Sequence, residues 1–437
     1  MVLDSKEFRE IVSVLDMPKY REWAEIVEDY LTLIRKRMHN AWALYKVQES
    51  LVSDTIKAQD YQNLANENIK KIEDEISILV RQQRQDELRT KNEQRNEWAR
   101  TRKFAHLIRK TVRNIGDCIA WKLLDYNRAW IGLLGDKEPI GKIEPSISLL
   151  NELSALYNHT VTDDNLALLN DLTNVIRISD ITLRTRNGNY TLQEIKSSER
   201  QDRRTRKQEA TRLNIINFFS SGAMKDDRGH WQITEFKTPV KTYFQELTNV
   251  FIEAEKKGIA SQYLEDFFQV EAFFPDKIPK DSTEEYFHDN SMPWHPSWKK
   301  SDMIINLDTF SELKLDFRHY VPLGLFPLPI EWCAKLITGY MIIVSTLNLR
   351  MLADQLTQQK WHVEISTKGE EILDYTYKLR RGNLTQTFST KLIGCLALQF
   401  MNKETIFSML EEMFYNKPKN ENVKYLFYFE DEKNAYA

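Results

Sequence analysis

The chain alternates apolar and polar positions on both sides of Asn187-Gly188, within residues 175–196. This period-two alternation predicts two half-buried strands, and an Asn-Gly pair between such strands is typical of a β-hairpin with a type I′ turn. Folding at the turn pairs the strands antiparallel and brings Asp180 close to Glu194 and Lys196. Because side chains two apart along a strand share a face, Glu194 and Lys196 point to the same side of the hairpin.

The N-terminal hundred residues follow a helical pattern instead. Residues 20–100 contain neither proline nor glycine, and apolar residues recur in steps of four and three, as in a narrow coiled-coil seam. The residues of this seam are Ala65, Ile69, Ile72, Ile76 and Leu79. Beyond Val80 the pattern is almost entirely polar until Trp98. We therefore expect long helices that either pair in a hairpin or dimer seam and project a basic arm, or form a bundle with a solvated outer face.

The remaining pattern predicts a mixture of helices and strands. Predicted helices are Phe104–Tyr126, Ile147–Tyr157, Asn165–Leu172, Pro239–Gly258, Ile330–Leu347, Leu349–Gln359 and Asn402–Tyr415, and Lys391–Phe400 is a further buried segment. Predicted strands are Ala129–Leu134, Trp231–Phe236, Phe267–Phe274, Met303–Leu307, His362–Ile365 and Tyr425–Phe429. The Asp-, Pro- and Ser-rich stretch from Pro275 to Trp298 indicates a loop or domain junction.

These elements divide the chain into three regions. Residues 1–103 are predicted to be helical and coiled-coil-like, residues 104–275 to hold the hairpin in a compact core, and residues 276–437 to form an α/β accessory domain. The fold class we expect is therefore mixed α+β, written more broadly as α/β.

Two carboxylates and a lysine on one hairpin are the groups that metal-dependent phosphodiester cleavage requires. Mg²⁺ takes oxygen ligands and keeps several waters, so one or two carboxylates and a substrate phosphate suffice to hold it. The metal polarises the phosphoryl oxygen and makes its bound water a better nucleophile. Lys196 would orient or help deprotonate that water and offset charge in the transition state. A surface hairpin whose polar face happens to carry these residues is the alternative.

The spacing of Asp180, Glu194 and Lys196 resembles the motif of the PD-(D/E)XK nuclease superfamily, an acid followed after a variable gap by acid-x-Lys. The resemblance implies a restriction-endonuclease-like core over residues 104–275, under half of the chain. It also implies that Asp180 and Glu194 bind Mg²⁺ or Mn²⁺ and that all three residues are catalytic. The motif differs at Ser179, where the family pattern has a proline that many members lack.

The segment after the motif is strongly basic. Residues 199–219 predict an amphipathic helix with Leu213, Ile216 and Phe219 on its packing face. The residues expected to bind the substrate backbone are Arg203, Arg204, Lys207 and Gln208. Clustered Arg and Lys side chains beside a metal site bind phosphates, although most charge runs are solvated helix faces. Gln208 is added because several members of the superfamily use a helix glutamine after the motif.

The superfamily core usually begins with a helix that supplies another acid. Within the predicted helix Phe104–Tyr126 the candidate is Asp117, which we expect as a further metal ligand, with Asp125 as a lesser rival. An ordinary surface or capping role for Asp117 is an equal alternative, because the sequence does not fix the rotation of this helix.

Composition restricts the class of protein. The net charge is −3, so basicity is local: residues 81–113 hold eleven Lys or Arg and four acidic residues. The three cysteines lack paired spacing, which excludes a disulfide framework and fits a reducing cytoplasm. The N-terminus has no signal-peptide pattern, and the longest apolar run, Leu336–Leu347, is too short to span a membrane. Glycine-rich phosphate loops, dinucleotide fingerprints, serine-hydrolase elbows and zinc signatures are absent from the sequence.

The sequence therefore predicts a cytoplasmic Mg²⁺- or Mn²⁺-dependent nuclease, most simply an endodeoxyribonuclease acting in prokaryotic restriction or antiviral defence. Its expected partners are nucleic acid, with DNA favoured over RNA, and a second copy or companion subunit held by the N-terminal helices. The main alternative is a catalytically inactive nucleic-acid-binding or scaffolding protein that assembles through those helices. An RNase of a toxin-like system is a third possibility, separable by its substrate.

Overall fold

A computed structural model gives the architecture of the chain. It describes residues 12–135, 143–195, 212–219, 221–226, 229–279, 295–299, 304–309, 320–367, 375–382, 384–389, 391–415 and 423–436. The fold is mixed α+β, with a long helical N-terminal region followed by several small sheets. The predicted fold class is thus confirmed at this level.

The N-terminal region consists of three long helices, α1 (Pro18–Arg37), α2 (Ala41–Arg81) and α3 (Gln85–Leu123). Helices α2 and α3 pack side by side as an antiparallel hairpin. Four of the five seam residues of α2 are buried, Ala65, Ile69, Ile72 and Leu79. The seam is therefore filled within the chain, as the hairpin alternative predicted, and α1 also packs against both helices, as in the bundle alternative.

The later helices are shorter. They are α4 (Arg128–Leu134), α5 (Ile147–Tyr157), α6 (212–219), α7 (Phe244–Lys257), α8 (Ile330–Thr338), α9 (Leu349–Gln358), α10 (Lys391–Gln399), α11 (Lys403–Tyr415) and α12 (Glu432–Tyr436). Gly258 ends α7 with a φ of 87° and Gly339 ends α8 with a φ of 84°. These left-handed positions suit glycine, which has no Cβ to clash there.

Thirteen strands form four sheets in the described part of the chain. The strands are β1 (Leu166–Leu169), β2 (Ile181–Arg184), β3 (Tyr190–Gln193), β4 (Ala223–Asp226), β5 (Gly229–Phe236), β6 (Ile259–Glu265), β7 (Phe268–Phe273), β8 (Ile304–Asp308), β9 (Ile342–Asn348), β10 (His362–Thr367), β11 (Tyr375–Arg381), β12 (Leu384–Ser389) and β13 (Val423–Phe429). The sheet orders are β1-β2-β3, β10-β11-β12, β13-β5-β4 and β6-β7-β9-β8. All neighbouring strands are antiparallel except β13 and β5, which are parallel.

Two of these sheets combine strands from before and after residue 275, the expected boundary. Strand β7 pairs with β9, and β5 pairs with β13. The N-terminal helices also contact the C-terminal third, because Tyr20 of α1 donates a hydrogen bond to the Thr338 carbonyl at 2.6 Å. Its ring stacks on Tyr340 with centroids 6.0 Å apart. The three predicted regions therefore share buried contacts.

Three short segments differ from the sequence-based prediction. Residues 129–134 lie in helix α4 rather than a strand, residues 166–169 form strand β1 rather than a helix, and residues 342–347 lie in strand β9 rather than a helix. Each is a short, mostly apolar segment of four or six residues, most of which are buried. Such runs carry no periodicity that separates a helix from a strand, so the error is intrinsic to the pattern.

A buried ion pair joins α4 to the C-terminal helix. The Arg128 and Glu432 side chains are 4% and 1% exposed and form a salt bridge, and Arg128 Nη2 also donates to Gln399 Oε1 at 2.5 Å. Removing one partner of such a pair leaves the other charge buried and uncompensated, which costs about 3–5 kcal/mol.

We expect Glu432→Gln to lower the free energy of unfolding by about 3 kcal/mol, because Arg128 then lacks its counter-charge. Urea denaturation followed by circular dichroism measures the change. The matched control is Glu253→Gln, which breaks the exposed Lys257–Glu253 pair on α7 and should change stability by less than about 0.5 kcal/mol. Equal effects of the two substitutions would contradict this account of the ion pair.

Candidate active site

The hairpin of β2 and β3 brings the two motif carboxylates together. Ile181 is paired with Gln193, so the same register places Asp180 opposite Glu194, one residue beyond each strand. The Asp180 N–H donates to the Gln193 carbonyl at 3.0 Å, one residue out of this register, so the regular ladder ends at Ile181 and Gln193 while the two strand ends stay hydrogen-bonded. Cross-strand neighbours lie on one face of a sheet, so the arrangement agrees with the one predicted from the alternating pattern.

The turn of this hairpin is not of type I′. That type needs a positive φ at both central residues, whereas Gly188 has a φ of 79° and Asn187 stays at negative φ. Gly188 N donates to the Thr185 carbonyl and Thr185 N to the Asn189 carbonyl, both at 2.9 Å. The loop is therefore a longer one closed by a left-handed glycine, and it still sets the strand register.

The Asp180 carboxylate is held by the opposite strand end. Its Oδ2 accepts a hydrogen bond from the Ile195 N–H at 2.5 Å, an interaction that favours the ionised form. Burial acts in the other direction and is the stronger effect, so the pKa of Asp180 lies above its usual range. One oxygen is thus fixed to the backbone, and Oδ1 remains for another ligand.

Two further carboxylates belong to the same group. Burial raises the pKa of Glu152 on α5, and the charges of Asp180, Asp171 and Glu194 raise it further, while a hydrogen bond from Ser148 at 3.0 Å opposes the rise. Burial also raises the pKa of Asp171, which follows β1, and again Asp180 adds to the rise. Four acidic side chains therefore share one electrostatic environment, which we call the carboxylate cluster.

The sequence-based analysis missed Glu152 and Asp171. The sequence does hold a signal for Glu152, because it falls between Leu149 and Leu156 on the buried stripe of a helix that has no other charged residue. An acid on such a stripe is uncommon unless it is paired or functional. Asp171 lies in a short 3-10 turn, Asn170–Leu172, for which the pattern offers no comparable signal.

A buried asparagine fixes the segment that leads into Asp180. The Asn170 side-chain amide donates to the Ile178 and Ser179 carbonyls, both at 3.0 Å, and its oxygen accepts from the Thr182 hydroxyl at 2.8 Å. Its backbone N–H donates to the Asp180 carbonyl at 2.8 Å. Ser179 has a φ of 63°, a conformation that costs a non-glycine residue about 1–2 kcal/mol. The hydrogen bonds of Asn170 hold this strained residue in place.

Asp117 is buried in α3 and binds the loop after β1. Its Oδ1 accepts from the Thr173 hydroxyl and from the Asn174 N–H at 2.6 Å, and its Oδ2 accepts from the Asn174 amide at 2.9 Å. Burial raises its pKa, and the contacts with Thr173, Asn174 and Arg113 oppose the rise. This environment matches the capping alternative for Asp117, and its role as a metal ligand stays a prediction. Asp125 pairs with Arg184 at the opposite end of β2 from Asp180.

The other predicted site residues, Lys196, Arg203, Arg204, Lys207 and Gln208, lie outside the described residues. Helix α6 follows this segment, and Arg212 at its start donates to the Leu192 carbonyl at 2.6 Å. Its fully buried side chains are Ile215 and Phe218, while Ile216 and Phe219 are half-buried and Leu213 is 49% exposed. The buried face of α6 is therefore centred on Ile215 and Phe218, one residue before the predicted Ile216 and Phe219.

The chemistry of the carboxylate cluster suits a hard divalent cation. Buried carboxylates with raised pKa values gain most from a nearby positive charge, and Mg²⁺ needs one or two of them beside its waters. Among the described residues no three acidic, histidine or cysteine side chains are close enough to form a complete ligand set. The donor set therefore fits a cation that takes one or two protein carboxylates and completes its shell with water or substrate.

The described residues include no helix that is long and apolar enough to cross a membrane. Searches against family models, curated proteins and solved structures find nothing that matches this chain.

Asp117→Asn distinguishes a structural from a metal-binding Asp117. The amide keeps the side-chain volume but replaces one acceptor oxygen by a donor, so we expect a loss of about 2 kcal/mol of stability and unchanged metal affinity. Thermal unfolding and isothermal titration with Mn²⁺ measure the two quantities. If the variant instead keeps normal stability and loses Mn²⁺ binding, Asp117 is a metal ligand.

Proposed function

We propose that the chain is a metal-dependent nuclease with Asp180 and Glu194 as its metal ligands. The observation that carries the proposal is that the end of the β2–β3 hairpin brings Asp180 and Glu194 close to the buried Glu152, whose pKa both carboxylates raise. Lys196 follows Glu194 by two residues, the spacing of the PD-(D/E)XK motif.

The order of elements around the hairpin supports a restriction-endonuclease-like core. Helix α5 leads into β1, the β2–β3 hairpin follows, and α6 packs after it. The resemblance implies the order helix, strand, hairpin, helix, which the sequence-based prediction assigned to Phe104–Tyr126 and residues 129–134 before the hairpin. Because residues 129–134 are helical, the proposal takes α5 as the helix and β1 as the strand. It starts at α5 rather than at the helix holding Asp117, so Glu152 replaces Asp117 as the acid of the first helix.

The roles of the residues follow from their positions. A bound Mg²⁺ or Mn²⁺ would polarise the scissile phosphate and supply an activated water. Asp180 and Glu194 would hold the cation, with Asp180 oriented through its hydrogen bond from Ile195 N–H. Lys196 would position the attacking water and offset the charge of the transition state. Glu152 and Asp171 increase the negative potential and so the affinity for a divalent cation.

DNA is the substrate class we propose, with an endonucleolytic role in prokaryotic restriction or antiviral defence in the cytoplasm. The support is the motif and the basic segment after it, with Arg203, Arg204, Lys207 and Gln208 as the residues that bind the phosphate backbone. The α2–α3 hairpin offers a surface for a second copy or a companion subunit.

An inactive scaffold or nucleic-acid-binding protein is the second candidate. A scaffold needs neither Asp180 nor Glu194, so metal binding separates the two functions.

Cleavage assays on supercoiled DNA, linear DNA and single-stranded RNA with Mg²⁺ or Mn²⁺ test the nuclease. We expect the wild-type chain to cut DNA and Asp180→Asn or Glu194→Gln to lose at least 10³-fold in rate, because the cation is no longer held. Lys196→Met should lose activity while keeping metal affinity. Asp164→Asn is the matched control. Asp164 is an exposed acid, and its ion-pair partner, Arg186, lies in the turn of the same hairpin.

Persistent metal-dependent cutting by Glu194→Gln would contradict the assignment of the ligands. Cutting by Lys196→Met at the wild-type rate would contradict the role of the lysine. Cleavage confined to RNA would leave the mechanism in place and change the substrate class.

Replacing both Arg203 and Arg204 by glutamine tests the basic segment. Each phosphate contact contributes about −0.9 to the slope of log K against log salt concentration, so the double variant should flatten the slope by about 1.8. Fluorescence anisotropy with labelled duplex DNA from 50 to 200 mM salt measures it. The control replaces the α7 residues Lys256 and Lys257 by glutamine. If both double variants have the same slope, the segment with Arg203 and Arg204 is a solvated helix face that does not bind DNA.

A further inference from the structure

One stretch of α3 carries positive charge without any acidic residue. Residues 98–116 hold six Arg or Lys and no Asp or Glu, and Asp117 follows them directly. Two of the six, Arg109 and Arg113, are one helical turn apart, so their side chains are neighbours on the same face of α3. Both side chains are half-buried. The basic residues of α3 therefore extend into the central part of the fold.

A third arginine approaches this face from the loop between β1 and Asp180. Arg113 Nη1 donates to the Thr173 carbonyl at 3.3 Å, and Arg177 Nε donates to the Asn174 carbonyl at 3.0 Å. Consecutive residues have Cα atoms about 3.8 Å apart, so the two guanidinium groups bind neighbouring points of one loop. The loop thus brings an arginine of its own next to one from α3.

The three arginines outnumber the acids beside them. Burial lowers the pKa of Arg113, and the charges of Asp117 and Asp171 oppose this shift. The charges of Arg109 and Arg177 lower the pKa of Arg113 further. Three positive charges against two negative ones leave an excess of one, and like charges one turn apart on a helix are destabilising. We call these three side chains the arginine cluster.

Asp171 links the arginine cluster to the carboxylate cluster. Burial and the charge of Asp180 raise the pKa of Asp171, and the charge of Arg113 lowers it. The helix and the turn that holds Asp171 are in direct contact, because a Cβ atom at Gly116 would lie 1.9 Å from the Leu172 carbonyl oxygen. The positive side chains therefore lie on the Asp171 side of the acids proposed to hold the cation.

We propose that Arg109, Arg113 and Arg177 bind the phosphate backbone of the DNA strand beside the phosphate that is cut. A guanidinium group binds two phosphate oxygens at once, and a phosphate supplies the negative charge that the arginine cluster lacks. Arg109 and Arg113 are about 6 Å apart along the helix axis, which is close to the rise of two nucleotides at about 3.4 Å each. The site deepens the proposed nuclease function, on which the choice of DNA as its ligand rests.

Fluorescence anisotropy with a labelled DNA duplex in EDTA, from 50 to 200 mM salt, tests the site without any cleavage. The double variant Arg109→Gln/Arg177→Gln removes two charges, so we expect weaker binding and a slope of log K against log salt concentration that is flatter by about 1.8. Arg113 is left unchanged because it also holds the Thr173 carbonyl. Arg109→Lys/Arg177→Lys keeps both charges and should restore most of the slope, which would not follow if the arginines only held the loop.

The matched control is Arg81→Gln/Arg89→Gln, which removes two exposed arginine charges at the far end of the α2–α3 hairpin. We expect it to leave the slope nearly unchanged, and circular dichroism shows whether each variant is folded. Equal slopes for the control and for Arg109→Gln/Arg177→Gln would overturn the inference. Failure of the wild-type chain to bind DNA at 50 mM salt would overturn it as well.

A parallel cleavage assay with Mg²⁺ separates this inference from the proposed function. If the wild-type chain binds DNA through these arginines but does not cut it, the nuclease is contradicted and the binding site stands. If the chain cuts DNA while Arg109→Gln/Arg177→Gln keeps the wild-type slope, the arginine cluster is not a DNA-binding site and the nuclease stands.

Discussion

The gathering of four carboxylates at one end of the β2–β3 hairpin, with Glu152 buried and Asp171, Asp180 and Glu194 partly buried, is the constraint around which the central part of this fold is organised. Glu152, Asp171, Asp180 and Glu194 come from α5, from the turn after β1 and from the two strands of one hairpin. Burial raises the pKa of Glu152, Asp171 and Asp180, and neighbouring carboxylates raise the pKa of Glu152 and Asp171 further, so ionising this group costs folding free energy. A protein that keeps such a group must hold it with other interactions, and those interactions explain the surrounding structure.

The holding interactions are mostly buried hydrogen bonds. Asn170 ties the segment before Asp180 to β1 and β2, and Asp117 ties the next loop to α3. Gln48 of α2 hydrogen-bonds the Ala167 carbonyl and the Leu169 N–H, both at 2.8 Å, and so occupies backbone groups of β1 as a neighbouring strand would. The long helices thus support the small sheet that carries the cluster. A divalent cation would relieve the repulsion that this framework sustains.

The sequence predicted the parts of this arrangement that have a clear period or a strong turn residue. The β2–β3 hairpin, the α2–α3 seam and the glycine that ends α7 follow from alternation, helical spacing and the conformational freedom of glycine. The predictions for residues 129–134 and 342–347 were wrong, because short, mostly apolar segments show no hydrophobic period that separates a helix from a strand. The sequence did not fix the rotation of α3, which is why Asp117 was considered as a metal ligand. Glu152 was missed although it lies on the buried stripe of α5. Residues that meet only through tertiary packing, such as Asp171 and Asp180, leave no local pattern.

The most direct test of the central claim is a calorimetric titration of Mn²⁺ into the full chain and into the Asp180→Asn/Glu194→Gln double variant. The account predicts saturable binding to the wild-type chain and loss of that binding in a variant that stays folded, since the substitutions remove both ligands and relieve the repulsion. Unchanged Mn²⁺ affinity in the double variant, or no binding by the wild-type chain, would contradict the claim that this cluster is a metal site.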